Sequence, residues 1–275
     1  MAYNYEFIHE KYQFTDKEEG RFLESRAAGL ESRYTKKQLD LLVDKRSAVV
    51  ELGCATGHYG FYLADKCRSY LGVDIVPENI EMFGRKIKSA GHSNLSVKQG
   101  DATDLGFIPN HSFDVVLALG PMYHLNPEDR EKAFKESIRI CKLGGKICCA
   151  YISVLGVYAG ACVLSPDHYP NAYTNERVFV QGVDDLRPDL FFFSSPEEME
   201  RTAKTHGLSV IRNVGLDFYF ASNIVNNMSD EQFAAWLVLN DRMAESESCT
   251  GLSNHALLVC EKKGTGYEKS KSTNH

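Results

Sequence analysis

Residues 49–57 read VVELGCATG, an apolar strand with an acidic residue at its end, running straight into a turn with small residues at Gly53, Ala55 and Gly57. Small residues permit tight backbone angles and let a ligand approach the main chain. A helix starting near Gly57 would add exposed NH groups facing that ligand. Strand, tight turn and helix in this order predict a site for a nucleotide-type cofactor.

Spacing separates two cofactors. A dinucleotide fingerprint wants glycine at the first, third and sixth turn positions, here Gly53, Ala55 and His58. The sixth fails, because His58 cannot give the close helix-to-strand packing that the third glycine supplies. The pattern of an acidic residue followed by small residues at alternate places (Glu51, Gly53, Ala55, Gly57) instead resembles the first motif of the class I S-adenosylmethionine (SAM) dependent methyltransferases. Ala55 replaces the usual central glycine and adds a methyl where the cofactor approaches.

Three further segments extend the resemblance. Residues 70–76 (YLGVDIV) form a second strand reaching Asp74, about 20 residues past the turn, where an acidic side chain can accept hydrogen bonds from both ribose hydroxyls. Residues 95–105 (LSVKQGDATDL) form a third that reaches Asp101. Residues 113–120 (FDVVLALG) form a fourth, followed by the loop PMYHL. The resemblance implies that the Asp101 carboxylate meets the adenine amino group, that the Ala102 NH faces the ring, and that PMYHL leaves the sheet beside the reactive methyl. Around SAM, or its product S-adenosylhomocysteine, it would gather Glu51, Gly53, Cys54, Ala55, Gly57, His58, Tyr59, Asp74, Ile75, Asp101, Ala102 and Leu119. His58 and Tyr59 open a helix whose positive end favours the cofactor's carboxylate.

Composition narrows the class. The 275 residues suffice for one large α/β domain with a modest insertion, and 43% hydrophobic content is ordinary for a soluble globular protein. A net charge of −6 argues against a standing electrostatic footprint for nucleic acid. No run approaches the roughly 18 apolar residues of a membrane span, and MAYNYEFIHEKYQF lacks the basic start and apolar centre of a signal peptide. A cytoplasmic location is expected. The eight cysteines are scattered without metal-ligand spacing, so no metal is expected and all are read as reduced. Cys148 and Cys149, adjacent on a strand, should point to opposite faces.

The fold expected is α/β, a Rossmann-like seven-stranded, mostly parallel sheet with helices on both faces and an antiparallel last strand. Residues 1–46 are expected to form an N-terminal helical lid, with Tyr12, Arg26 and Tyr34 as candidate lid residues. Residues 47–263 are expected to form the methyltransferase domain, with cap insertions at 153–195 and 221–253, and 264–275 a disordered tail. Pro77 and Gly91 bound one helix, and Asn126 caps another that Pro127 opens and Gly144 ends. Ser195 caps a helix reaching about Gly207, and Ser229 starts an amphipathic one carrying Phe233, Trp236, Leu237 and Met243.

Methyl transfer from a sulfonium is an in-line displacement for which the protein supplies alignment and water exclusion, so a catalytic base is optional. Where the acceptor must lose a proton, His124 is the best-placed base and Tyr123 the second candidate, as an orienting hydroxyl or aromatic wall. His168 in the long loop could touch an acceptor. LGPMYHL replaces the Pro-Pro-aromatic loop of amino-group methyltransferases acting on nucleic acids. The expected function is methyl transfer to a small-molecule acceptor, without nucleic acid or membrane partners and with the oligomeric state open. The alternatives are a non-catalytic SAM-binding regulatory protein and an RNA or protein methyltransferase.

Overall fold

The computed structural model describes residues 4–164, 172–184, 187–218 and 221–264. His168 and residues 265–275, and with them the expectations placed there, lie outside that set. The chain opens with helices α1 (Tyr5–Tyr12), α2 (Thr15–Gly20) and α3 (Arg26–Leu42). Ser25 starts α3 by accepting a hydrogen bond from the Ala28 NH. Strand and helix then alternate through β1 (Ala48–Leu52), α4 (His58–Leu63), β2 (Ser69–Asp74), α5 (Pro77–Ala90) and β3 (Leu95–Gln99). They continue through β4 (Phe113–Ala118), α6 (Pro127–Ile140) and β5 (Cys141–Ile152). Helices α7 (Val154–Leu164), α8 (Ala172–Asn175) and α9 (Pro196–Thr205) lead to β6 (Leu208–Gly215). Helices α10 (Ser222–Asn226), α11 (Asp230–Ala244) and α12 (Glu247–Thr250) precede β7 (His255–Lys262).

The seven strands lie in the order β3-β2-β1-β4-β5-β7-β6, and β7 alone runs antiparallel, to β5 and β6. This is the expected architecture. Alternation along the strands divides the core into two layers. Val49, Leu117, Cys148 and Val259 pack on one face; Val50, Ala118, Cys149 and Leu258 pack on the other. The adjacent Cys148 and Cys149 therefore do point apart, and none of the seven described cysteines is in a disulfide.

Local signals placed most helix ends. Pro77 opens α5 and Gly91, at φ +73°, closes it. Asn126 accepts from the Asp129 NH to start α6, and Ser229 forms a reciprocal capping box with Gln232 at α11. Gly144 does not end α6 as expected. The helix stops at Ile140 because Cys141 already pairs with Phe113 in the β4–β5 ladder, and Gly144 turns inside β5 at φ +76°.

Between β1 and β4 the chain reverses its direction of travel across the sheet, which opens a crevice at the carboxyl ends of the strands. The Phe83 ring, fully buried on α5, sets how closely α4 approaches β2. A Cβ on Gly57 would stand 2.3 Å from that ring, one on Gly60 2.5 Å, and one on Gly72 2.9 Å. Gly57 and Gly60 thus supply the close packing that His58, at the sixth turn position, does not. Gly57 also holds φ +92°. Gly57→Ala should therefore combine a left-handed backbone penalty of about 1–2 kcal/mol with overpacking of about 1–3 kcal/mol. Gly91→Ala, with nothing within 4 Å of its new methyl, should cost the backbone penalty alone. Thermal denaturation of the two variants checks this; equal losses would show that the Phe83 contact is not limiting.

Candidate cofactor and acceptor site

A pocket enclosing about 1060 Å³, its open mouth included, lies in the crevice at the carboxyl ends of the strands. Its floor is the turn after β1. The Gly53 and Cys54 NH groups donate to the Val73 carbonyl at 2.8 and 3.1 Å, which folds the turn onto β2. Asp74 is 7% exposed; its Oδ2 accepts from the Ala55 NH at 2.8 Å and its Oδ1 from the Val76 NH at 2.9 Å. Burial pushes the Asp74 carboxyl above its ordinary range, and these hydrogen bonds pull against that. Ala55 sits at φ +45°, the left-handed region where glycine is usual, so its substitution is accommodated at a strain cost. Gly53 is required for a different reason. A Cβ there would come 2.9 Å from the Pro121 ring, the close approach that brings the PMYHL loop over the turn.

The pocket collects most of the residues named from the sequence. Glu51, Gly53, Cys54, Ala55, His58 and Tyr59 line it from the turn and α4. Asp74, Ile75, Asp101, Ala102 and Leu119 line it from the ends of the next strands, and Tyr123 and His124 from the PMYHL loop. Gly57 does not line it; its contribution is the packing against Phe83. The Asp101 Oδ1 holds the NH and hydroxyl of Thr103 at 2.9 and 2.7 Å, which fixes its carboxylate at the pocket edge.

Two polar atoms fit this pocket to an adenosyl ligand. The Asn79 Oδ1, on a residue 1% exposed beside Asp74, has no hydrogen-bond partner and can accept from a sugar hydroxyl. Glu51, 2% exposed, accepts a hydrogen bond from the Tyr70 hydroxyl. Burial and nearby Asp74 raise its carboxyl to about 8 against the lowering effect of the Tyr70 bond. A buried acid in that state is disposed to ionise when a cation arrives.

The roof is the N-terminal helices. The Tyr12 hydroxyl meets His124 Nε2 at 2.8 Å, and His124 Nδ1 meets the Leu190 carbonyl at 2.8 Å. A carbonyl only accepts, so Nδ1 carries the proton and Nε2 receives the Tyr12 hydroxyl. The Asn4 Nδ2 donates to the His124 and Asp189 carbonyls at 2.6 and 2.8 Å, and the Phe192 NH donates to the Tyr123 carbonyl at 2.9 Å. Burial lowers the His124 imidazole to about 4, so it is neutral near pH 7. Burial raises the Tyr123 hydroxyl well above the usual tyrosine range. His58, hydrogen-bonded to the Ser32 hydroxyl at 2.7 Å, is likewise pushed down to about 4 by burial and neighbouring cations.

Sequence reading of the roof was partial. Tyr12 lines the pocket, but Arg26 pairs with Asp230 and Tyr34 donates to Asp241 at 2.6 Å. Both side chains join α3 to the α11 region and neither lines the pocket, because they lie on a face of α3 that packs against α11. No described residue of 153–195 or 221–253 lines it either. The first segment supports PMYHL from behind, and Trp236 packs with Phe233 and Leu237 against the main core. Sequence reading missed Glu18, Arg21, Phe22, Glu31, Thr56 and Asn79, all of which line the pocket. Asn79 was the findable one, five residues past Asp74 in the first turn of a helix marked by Pro77.

A family profile described as a methyltransferase domain matches residues 49–145, the stretch from β1 into β5. An uncharacterised methyltransferase of Anoxybacillus flavithermus is 24% identical over 175 residues, covering 62% of this chain and 74% of that protein. An uncharacterised RNA methyltransferase of Streptococcus pneumoniae is 36% identical over 69 residues, which span 25% of this chain and only 15% of that protein. The geranyl diphosphate C-methyltransferase of Streptomyces coelicolor, crystallised with S-adenosylhomocysteine, shares the fold at a TM-score of 0.54 and 13% identity, covering 84% of this chain and 78% of that one. The profile match makes residues 49–145 a methyltransferase domain, and the motif order and sheet topology agree with the class I SAM-dependent methyltransferase fold.

Proposed function

We propose that the protein transfers a methyl group from SAM to a small-molecule acceptor enclosed between the β1 turn, the PMYHL loop and the N-terminal helices. The observation that carries this reading is the pocket's lining. The residues assigned to SAM line one pocket together with Tyr12, Glu18, Arg21 and Glu31, which come from the N-terminal helices and are not assigned to the cofactor. Bound SAM supplies an activated methyl carbon; the chain's own residues bind, orient and exclude water. Asp74 and Asn79 would hold the ribose, Asp101 and Ala102 the adenine, and Gly53 with its neighbours would face the methionine portion.

Charged and aromatic lining residues beyond those assigned to the cofactor count against a purely regulatory SAM-binding protein, which needs none. The pocket's charge counts against RNA. Among the described residues its lining carries the acidic groups Glu18, Glu31, Asp74 and Asp101, beside the protonated Glu51, against the standing cation Arg21, and a polyanion demands the reverse balance. His124 acts in this reading as a positioning residue rather than a free base, because Tyr12 occupies its Nε2 and Leu190 its Nδ1. Incubating the protein with methyl-labelled SAM and separate pools of small metabolites, RNA and protein tests the acceptor class. Label should enter the small-molecule fraction; incorporation confined to RNA or protein would overturn the proposal.

Three variants probe the roles. Asp74→Ala removes the carboxylate that ties the turn and faces the ribose, and should weaken SAM by about 1–3 kcal/mol in a calorimetric titration, the range for bonds to a charged group. Unchanged affinity would mean the ribose lies elsewhere. Tyr12→Phe and His124→Ala break one hydrogen bond from its two ends, so their effects on kcat/KM should not add in the double variant. Full additivity would separate them.

Glu51 gives a pH dependence with a definite sign. Its raised carboxyl holds a proton in the free protein, and a bound cation favours its release, so SAM affinity should rise as pH approaches about 8 and then level off. Without ligand the same group stabilises the fold below its unfolded value of 4.5 and loses that contribution as pH rises through about 8. Glu51→Gln should flatten the binding profile, and a slope that survives the substitution would assign the proton to another group.

A further inference from the structure

Beneath the helical roof lies a chain of charges that the cofactor residues do not use. The Arg21 Nη2 meets Glu31 at 3.0 Å and its Nε lies 3.8 Å from Glu18. Glu31 stands 3.9 Å from the Nδ1 of His255, which pairs in turn with Asp217 at 3.1 Å. His255 opens β7 opposite Ile152, at the carboxyl end of β5 and so on the same edge of the sheet as the pocket. Burial opposes charge on His255, but Glu31 and Asp217 raise its imidazole to about 9, so it stays protonated near pH 7. The cluster therefore sets three carboxylates against two cations, each of which already has carboxylate neighbours.

A second observation is independent of that balance. Tyr59, 6% exposed, lines the same pocket, and its hydroxyl makes no hydrogen bond; Thr35 is near it without bonding geometry. A buried hydroxyl left unmatched beside Glu31 and Arg21 is a place where a ligand's polar group would be satisfied. Tyr12, Phe22 and Tyr123 supply aromatic faces to the pocket, and the Arg21 guanidinium already sits 4.3 Å from the Phe22 ring centroid.

We propose that the end of the pocket walled by Glu18, Arg21, Glu31 and Tyr59 is the acceptor subsite, and that it takes a small cationic amine. The proposal rests on the methyltransferase reading above and names its substrate class. An anion would meet surplus carboxylate and two cations already engaged, whereas an ammonium meets surplus carboxylate, an acceptor hydroxyl and aromatic faces. Before methylation the ammonium must lose one proton. Glu18, whose carboxyl burial raises above its ordinary range, takes that proton. The freed nitrogen lone pair then forms the N–C bond as the C–S bonding pair passes to sulfur.

A trio of probes that share a phenethyl body and differ in their head group tests the subsite without turnover. With S-adenosylhomocysteine saturating, the protein is titrated with phenethylamine, phenethyl alcohol and 3-phenylpropionate. The amine should bind about tenfold more tightly than the other two, as expected for a desolvated charge with carboxylate and aromatic partners. Glu31→Gln should abolish that preference while S-adenosylhomocysteine affinity holds. Should Glu31→Gln fail to fold, Glu18→Gln and Tyr59→Phe should each narrow the preference. Tighter binding of the carboxylate, equal binding of all three or binding of none would overturn the proposal. Failure of S-adenosylhomocysteine itself to bind would instead sink the methyltransferase reading and the proposal with it.

Discussion

One carboxylate ties the pocket floor together. Asp74 ends β2, and its two oxygens reach back to the NH of Ala55 in the turn and forward to the NH of Val76 at the entry to α5. Two loops that would otherwise close independently are thereby held in one geometry, and the pocket floor is their shared surface. The arrangement tolerates a strained Ala55 because its NH is fixed by a buried charged acceptor, a stronger bond than one between neutral groups. It also depends on how deeply the α4 turn can sink, which the glycines around Phe83 decide.

The roof is assembled by a different logic. His124 is neutral, buried and bonded through both ring nitrogens, and its carbonyl receives Asn4. Both ends of α1, at Asn4 and Tyr12, and the stretch around Leu190 converge on it. A residue in that position sets where the roof lies relative to the floor, which is the requirement of a displacement reaction that needs alignment and exclusion of water more than proton transfer. Glu18, Arg21 and Glu31 add charged groups to the pocket lining, and His255 and Asp217 extend the charge chain behind Glu31.

Fold and floor were legible in the sequence because both rest on local chemistry. Apolar runs ending in Glu51, Asp74 and Asp101, helices opened by Pro77 and Pro127, and small residues at Gly53 and Gly57 each leave a signal within a few positions. The roof was not legible in the same way. Arg21, Glu31 and His255 are separated by up to 234 residues and meet only once the sheet places β7 beside β5. No periodicity distinguishes Tyr12, which faces the pocket, from Tyr34, which faces α11. Gly144 misled for a related reason: a glycine after a helix is a stop signal, yet ladder pairing of Cys141 ended α6 first.

The central claim is that the crevice at the strand ends is a SAM site, and a calorimetric titration of the protein with SAM, S-adenosylhomocysteine and NAD in parallel tests it most directly. The account predicts micromolar binding of both adenosyl ligands, with affinity of about −8 kcal/mol, and no heat from NAD. Binding of NAD alone, or silence from all three, would contradict it.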